Sequence, residues 1–293
     1  AWGSVERSAS PASALPPPRH SSRHMTAFDD HIRQVTEFVA TMRAQGRPVR
    51  QFALPSGTND LRAGLPIQVG PGANPRIILR SETFVELGNP DAGSCGFGLW
   101  TGNPSLLEDG RVTLVGPDIA ESPLGSLPFG APFGLPFGQV VMVGGARLSG
   151  DDQPALGQAQ VVADQIEGYM VRSSSRNIWS RVSKQVGARG FSFDTLARSL
   201  MFLIKSAVPR VESVEIAFVT SSKGDVLTLN EIAESAQAIG RAVLKEHWKA
   251  RGYDLDCDLH CGSCHDKTVC DDIRKVVATR LRKGKEALGD DAQ

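Results

Sequence analysis

The chain of 293 residues is long enough to bury a sizeable core, as one large domain or two small ones. Its hydrophobic fraction of 41% and charged fraction of 22% are ordinary globular values, so the composition does not indicate a fibrous, disordered or membrane-embedded class. Lysine plus arginine and aspartate plus glutamate balance at 32 each, so no overall field recruits nucleic acid or an anionic membrane.

The first 24 residues differ in composition from the rest. They are rich in Ser, Pro, Ala and Arg, which predicts an unfolded leader or a remnant of expression cloning, and Met25 resembles a natural start. No apolar run approaches the roughly 20 residues of a membrane span, and the sequence shows no segment with the basic start and apolar centre of a signal peptide. Five unevenly placed cysteines do not form a secreted disulfide scaffold. We therefore expect a soluble, cytoplasmic protein without nucleic-acid or membrane partners.

Residues 25–75 are predicted to form an N-terminal helix and a linker. Between Ala27 and Gln45 apolar residues recur at spacings of three and four, and Gly46 with Pro48 supplies the stop. Glycine, proline and asparagine then punctuate residues 47–75, which predicts a loop.

A domain over residues 76–222 is predicted from short β-like segments followed by helical patterns. The predicted strands span 76–80, 84–88, 96–100, 111–116 and 139–145, with a half-buried strand at 210–221. A Pro-Phe-Gly unit repeats three times between 128 and 138; it predicts a loop whose phenylalanines cap the core or a cleft, or else a local duplication at the surface.

Predicted helices span 154–171, 194–207 with Asp194 as N-cap, and 226–249, and a last one follows at Ile273 to Leu281. The interleaving favours an α/β or α+β fold, a mixed sheet flanked by helices. Residues 223–293 are predicted to form a C-terminal helical region that carries a four-cysteine loop.

That loop, "CDLHCGSCHDKTVC", holds four of the five cysteines in fourteen positions: Cys257, Cys261, Cys264 and Cys270. Structural zinc sites usually separate two cysteine pairs by a dozen residues or more, whereas iron-sulfur clusters are enclosed by one compact loop. The spacing therefore predicts a 4Fe-4S cluster, with zinc as the alternative and a redox disulfide third. His260 and His265 are expected to form hydrogen bonds around the ligands or to face solvent.

Other chemistry is not indicated by the sequence. Cys95 stands alone and is expected to be a small buried hydrophobic residue. Dinucleotide-binding, Walker A, nucleophile-elbow and zinc-protease motifs do not occur, so no catalytic residue is predicted.

Five stretches follow one another in the middle of the chain: "TFVELGNP", "LEDGRVTLVGPDI", "PFGQVVMVGGARLSGDDQPALGQAQ", "RNIWSRVSKQVGARGFSFDTLARSL" and "VPRVESVEIAFVTS". In order and spacing, residues 83–222 resemble the central domain of the CO-methylating acetyl-CoA synthase, the β subunit family of the carbon monoxide dehydrogenase/acetyl-CoA synthase complex. In that family, a nickel site bridged to a 4Fe-4S cluster in a further C-terminal domain joins a methyl group, carbon monoxide and coenzyme A. Its Cys-Gly-Cys nickel tripeptide does not occur here, so the resemblance does not extend to acetyl-CoA synthesis by this chain alone.

The resemblance also implies an arginine-rich surface that receives coenzyme A. Here the corresponding residues are Arg172, Arg176, Trp179, Arg181, Lys184 and Arg189. Guanidinium groups bind phosphates bidentately, and an indole stacks on adenine. The alternative is a helix that packs Trp179 and Val182 inward and leaves its basic face solvated.

Three functions fit these features. The first is an iron-sulfur subunit, accessory or electron-transferring, of a one-carbon or acyl-CoA complex whose partner holds a catalytic metal or corrinoid. The second is a non-redox assembly or binding module, stapled by a structural metal. The third is a free-standing acyltransferase or oxidoreductase that handles acyl-CoA or carbon monoxide at an open cluster site.

Overall fold

The computed structural model describes residues 26–73, 77–121, 134–150, 152, 155–156, 165–174 and 176–250. Predictions on the leader, the first two Pro-Phe-Gly units, the cysteine loop and the last helix lie outside these residues. The described helices are α1 (Asp29–Ala44), α2 (Thr58–Arg62), α3 (Lys184–Gly187), α4 (Phe193–Ala207) and α5 (Lys223–Ala250). The described strands are β1 (Val49–Ala53), β2 (Thr83–Leu87), β3 (Ser94–Thr101), β4 (Arg111–Val115), β5 (Gly134–Leu135), β6 (Phe137–Gly144), β7 (Tyr169–Ser174), β8 (Asn177–Ser183) and β9 (Ser213–Val219).

The strands form two mixed sheets. The larger has the order β1-β4-β9-β6-β3, in which β4 runs parallel to β9 and β3 parallel to β6, while the other pairs are antiparallel. The smaller has the order β5-β2-β8-β7, with β2 parallel to β5 and antiparallel to β8, and a β7–β8 hairpin. The fold is thus mixed α/β with helices beside the sheets, and the prediction of a single mixed sheet is refined to two.

The core of the large sheet is aromatic. Phe193 at the start of α4 lies 4.7 Å from Phe218 of β9 and 5.9 Å from Phe137 of β6, between ring centroids, and all three side chains are fully buried. Gly138, the next residue on β6, points to the other face, where an added Cβ would lie 2.7 Å from Leu229 of α5. Helices α4 and α5 therefore cover opposite faces of the sheet.

The two sheets meet where β3 approaches β8. The Gly96 amide donates to the Arg176 carbonyl at 2.7 Å, and an added Cβ on Gly96 would lie 2.1 Å from Cδ1 of Ile178. The Ser94 hydroxyl bonds both the amide and the carbonyl of Ile178. This close approach fixes the β7–β8 hairpin against the large sheet.

Most of the long elements were predicted correctly. Strands β2, β3, β4, β6 and β9 and helices α1, α4 and α5 lie where the sequence pattern predicts them, although β9 is buried along its whole length and not half-buried. α1 ends as expected at Gly46, whose positive φ of 77° lets the chain leave the helix. Within the described residues, no helix is long and apolar enough to cross a bilayer.

Several local predictions were wrong. Residues 47–75 are not all loop, because β1 pairs with β4 at the edge of the large sheet and α2 follows. Residues 77–79 form no strand, and among the described residues they pair with neither sheet. This segment turns Ile77 (79% exposed) and Leu79 (57% exposed) to solvent.

Three further corrections concern helix and loop boundaries. Tyr169 to Val171 belong to strand β7 and not to a helix, because pairing with β8 overrides their helical spacing. The N-cap of α4 is Ser192, whose hydroxyl accepts from the Thr195 amide at 3.3 Å. In the last Pro-Phe-Gly unit, Phe137 and Gly138 are in strand β6, although Phe137 does cap the core as expected.

Candidate functional site

The outer face of the small sheet gathers polar and aromatic side chains around Trp179. We call this surface the hairpin face; it consists of Glu86, Met170, Arg172, Trp179 and Arg181. Arg172 lies directly opposite Trp179, and Met170 and Glu86 lie opposite Arg181 on the two flanking strands. Directly opposed residues share one side of a sheet, so these side chains form one surface. It is half-buried to exposed.

Two guanidinium groups lie against the same indole. The Cζ atom of Arg181 is 5.1 Å and that of Arg172 is 5.7 Å from the centroid of the Trp179 ring, within the range of cation–π contacts. The indole Nε1 is buried and has no hydrogen-bond partner among the described residues. The helical alternative for this segment is therefore wrong, because in strand β8 the side chains of Trp179 and Val182 point to opposite faces.

Three of the predicted basic residues are neutralised by distant carboxylates. Arg181 Nε lies 2.6 Å from Glu86 Oε1, and Arg189 Nη2 lies 2.6 Å from Glu167 Oε1. The third, Arg176, forms an ion pair with Glu234 of α5. Each of these arginines thus positions an element of the fold.

The other two predicted cations differ in this respect. Neither Arg172 nor Lys184 has a carboxylate partner within the part of the chain that the structure describes. Arg172 is exposed at the end of the hairpin, and Lys184 opens the short helix α3. These are the cations that an anionic ligand can reach without breaking a described ion pair.

A cleft of about 530 Å³ opens beside the hairpin face. This volume lies within the range of small-molecule sites. Arg181 links the two features, because its Nη1 donates to the carbonyl of Ile78, a cleft residue, at 3.2 Å. The cleft is lined by Gln68, Ile77, Ile78, Ser81, Glu82, Glu167, Gly168, Ser183, Lys184 and Gln185.

Glu167 is one of the residues that line the cleft, and its carboxylate is held on both sides. One carboxylate oxygen accepts from Arg189 and the other accepts from the Gln68 amide at 2.8 Å, so the carboxylate joins two segments about a hundred residues apart. Gly168 has a positive φ of 67°, and an added Cβ would lie 2.4 Å from Val186. A side chain at this position would push α3, and Lys184 with it, out of place.

The described residues contain no group of three or more His, Cys, Asp and Glu side chains that could hold a metal ion. Cys257, Cys261, Cys264 and Cys270 lie outside the described residues. Cys95 is fully buried, as predicted, and burial raises the pKa of its thiol to about 12, an effect that the charge of Arg176 opposes. This thiol stays protonated and is a poor metal ligand.

Sequence reasoning identified the cations and the indole of this surface but missed their carboxylate partners and most of the cleft. Glu86 and Glu234 lie 95 and 58 positions from the arginines that they bind. No local pattern signals such pairing. The spacing of Trp179, Arg181 and Ser183 at every second position was the available sign of a strand face.

Comparison with known proteins gives one consistent family. The family model described as CO dehydrogenase/acetyl-CoA synthase complex beta subunit matches residues 65–224, which include the hairpin face and the cleft. The chain is 26% identical over 204 residues to the acetyl-CoA decarbonylase/synthase complex subunit beta 2 of Methanosarcina acetivorans, covering 69% of this chain and 41% of that protein.

Two other relatives agree. The chain is 29% identical over 175 residues to the subunit beta of Archaeoglobus fulgidus, covering 58% of this chain and 32% of the relative. The chain is also 28% identical over 194 residues to the subunit beta of Methanopyrus kandleri, covering 65% of this chain and 38% of that relative. The chain thus spans less than half the length of each of these relatives. Because the family model matches more than half of its 293 residues, the chain belongs to the CO dehydrogenase/acetyl-CoA synthase complex beta subunit family.

Proposed function

We propose that this protein is an accessory subunit of a one-carbon or acyl-CoA metabolising complex, and that its family domain binds coenzyme A at the hairpin face. The observation that carries the proposal is the contact of Arg172 and Arg181 with Trp179 inside the region that matches the family model. Both features of this surface, an indole and reachable cations, suit a nucleotide with phosphates.

The chemistry assigns different roles to the three side chains. Arg181 is fixed by Glu86 and the Ile78 carbonyl, so it holds one position against the indole. Arg172 is exposed and can leave the ring, which frees the indole for adenine and the guanidinium for a phosphate. Lys184, at the end of β8, supplies a further positive charge for the phosphates.

Coenzyme A binding tests this proposal. Titration calorimetry on the full chain should show binding that Trp179→Leu weakens tenfold to a hundredfold, since stacking on a base contributes about 1–3 kcal/mol. Arg172→Gln should weaken it about tenfold. Arg62 is the matched control, because its guanidinium also lies over an aromatic ring, 5.0 Å from the centroid of Phe202, but away from the hairpin face. If Arg62→Gln lowers the affinity as much as Arg172→Gln, the proposed site is wrong.

We further propose that Cys257, Cys261, Cys264 and Cys270 hold a 4Fe-4S cluster. The support is the donor set, four thiols in one compact segment of fourteen positions, which suits a cluster with four cysteine ligands. When bound, such a cluster carries single electrons, which a partner with a catalytic metal or corrinoid could use. Zinc held by the same four thiolates remains the structural alternative.

Metal analysis separates these alternatives. Anaerobically purified protein should be brown, contain iron and acid-labile sulfide, and give a paramagnetic signal on reduction. Cys264→Ser should abolish these signals, whereas Cys95→Ala, the matched control at the fifth cysteine, should retain them because Cys95 is buried and protonated. Colourless protein with one zinc per chain would favour the assembly module. Nickel in the sample would favour the free-standing enzyme.

A further inference from the structure

We infer that the cleft receives the pantetheine arm of coenzyme A while the hairpin face holds the nucleotide. This inference rests on the proposed function, because an arm can be placed in the cleft only if the nucleotide is bound beside it. The connection is direct: Arg181 contacts the indole of Trp179 and also donates to the carbonyl of Ile78 in the cleft wall.

The lining of the cleft suits an uncharged chain that contains amides. Gln68 and Gln185 bring side-chain amides, and Ser81 and Ser183 bring hydroxyls. These groups both donate and accept hydrogen bonds, as the amides and the hydroxyl of pantetheine require. Ile77, 79% exposed at the cleft, offers an aliphatic surface to the dimethyl group of the arm.

The charges of the cleft argue against the phosphates as its occupant. Glu167 is neutralised by Arg189, and the remaining ionic side chains are one carboxylate, Glu82, and one ammonium, Lys184. A phosphate site has an excess of donors with positive charge, which this lining lacks. The phosphates therefore belong nearer the hairpin face, where Arg172 can reach them.

The spacing along strand β8 fits this division. Trp179 and Ser183 are four residues apart, about 13 Å along a strand at 3.3 Å per residue. Ser183 lines the cleft, and Lys184 follows it at the start of α3. The ribose and diphosphate of an extended coenzyme A can cover this distance from an adenine on Trp179, which places Lys184 near the junction of phosphate and arm and leaves the cleft to the arm.

The inference is tested by comparing two ligands, coenzyme A and 3′,5′-ADP, on the full chain. Ser81→Trp places a large side chain in the cleft from an exposed position, and it should weaken coenzyme A binding at least tenfold while leaving 3′,5′-ADP binding unchanged. Gln185→Ala is the milder variant and should weaken coenzyme A binding twofold to tenfold. Trp179→Leu should weaken binding of both ligands. Ser105→Trp, at an exposed turn after β3, is the matched control, and thermal unfolding checks that each variant is folded.

The outcomes are distinguishable. If Ser81→Trp and Gln185→Ala leave coenzyme A binding unchanged while Trp179→Leu weakens it, the cleft does not hold the arm and the proposed function stands. If neither ligand binds to the wild-type protein, the proposed function fails, and the inference fails with it.

Discussion

Each sheet contains an arginine–glutamate pair, and the two pairs have different surroundings. In the large sheet, Arg111 Nη2 lies 2.7 Å from Glu215 Oε1, and the same carboxylate accepts from the backbone amide of Glu108. In the small sheet, Arg181 Nε lies 2.6 Å from Glu86 Oε1. There the Arg181 guanidinium also contacts the indole of Trp179 and donates to the carbonyl of Ile78 in the cleft. The first pair has a buried carboxylate at the edge of the core, whereas the second lies beside the partly exposed Trp179 ring.

This difference shows why richness in arginine is a weak signal for a ligand site. Other arginines carry the same charge as Arg172 but already form ion pairs with carboxylates of the fold, namely Arg111, Arg176 and Arg189. What distinguishes the hairpin face is one indole that two guanidinium groups contact, of which Arg181 is held by a carboxylate and Arg172 has no described carboxylate partner. We therefore expect the ion pair of the large sheet to contribute mainly to stability, and Arg172 of the hairpin face to contribute mainly to the proposed ligand binding.

The largest expected effect is in the aromatic core. Phe218→Ala removes a fully buried ring that contacts Phe137 and Phe193, and it should lower the free energy of unfolding by about 3–5 kcal/mol. Urea denaturation followed by circular dichroism measures this. Ile77→Ala, at a side chain that is 79% exposed in the cleft, should change stability by less than about 0.5 kcal/mol. Equal effects would mean that the cleft rim is part of the core.

Removing the carboxylate of an ion pair should cost less stability than Phe218→Ala. The pair in the large sheet should again lose more than the pair in the small sheet. Glu215→Ala removes the buried acceptor of Arg111 Nε and of the Glu108 amide, leaves Arg111 only the exposed carboxylate of Glu108, and should cost about 3 kcal/mol. Glu86→Ala should cost about 1–2 kcal/mol, because Arg181 keeps the Ile78 carbonyl. The same denaturation experiment measures both. A larger loss for Glu86→Ala would reverse the contrast between the sheets.

The sequence predicts the inner elements of the large sheet better than its edge. Strands β4, β6 and β9 are rich in Val, Ile, Leu and Phe, which favours strands in short segments. Strand β1, "VRQFA", has no fully buried residue and no alternation of apolar and polar residues, and its partner β4 begins 58 positions after its last residue. Pairing across such a distance leaves no local pattern.

The hairpin face was predictable only in part, for a related reason. Charge and aromaticity mark Arg172, Trp179 and Arg181 in the sequence, but their arrangement as one surface depends on the β7–β8 register. The neutralising carboxylates depend on contacts between segments far apart in the chain. Residue type thus indicated the chemistry of the site, whereas only tertiary structure separates the occupied cations from the reachable ones.

The contact between α1 and α5 predicts a pH dependence on the large-sheet side. His31 is 4% exposed, its Nε2 lies 3.0 Å from Ser235 Oγ, and its Nδ1 has no partner among the described residues. Burial lowers the pKa of this imidazole below its usual 6.5, and Asp30 opposes the shift only in part. The folded protein therefore holds the neutral form, while the unfolded chain takes up a proton near pH 6.5.

The sign of the effect follows from this difference. Stability should fall as pH drops below about 6.5, by at most about 1.4 kcal/mol per pH unit from this group. Urea denaturation of the wild type and of His31→Gln at pH 7.5, 6.5 and 5.5 measures it, and the loss attributable to His31 should be absent in the variant. Equal pH dependence in both proteins would show that His31 does not contribute.

The smallest expected effect on stability belongs to the hairpin face itself. Arg172→Ala should change the free energy of unfolding by less than about 0.5–1 kcal/mol, because an exposed cation–π contact contributes no more than that. Arg62→Ala, which removes an exposed guanidinium over Phe202, should behave alike in the same experiment. The two variants should differ in coenzyme A binding, which only Arg172→Ala weakens. A loss well above 1 kcal/mol for Arg172→Ala would mean that this guanidinium holds the hairpin together, and that the hairpin face resembles the large sheet in being committed to stability.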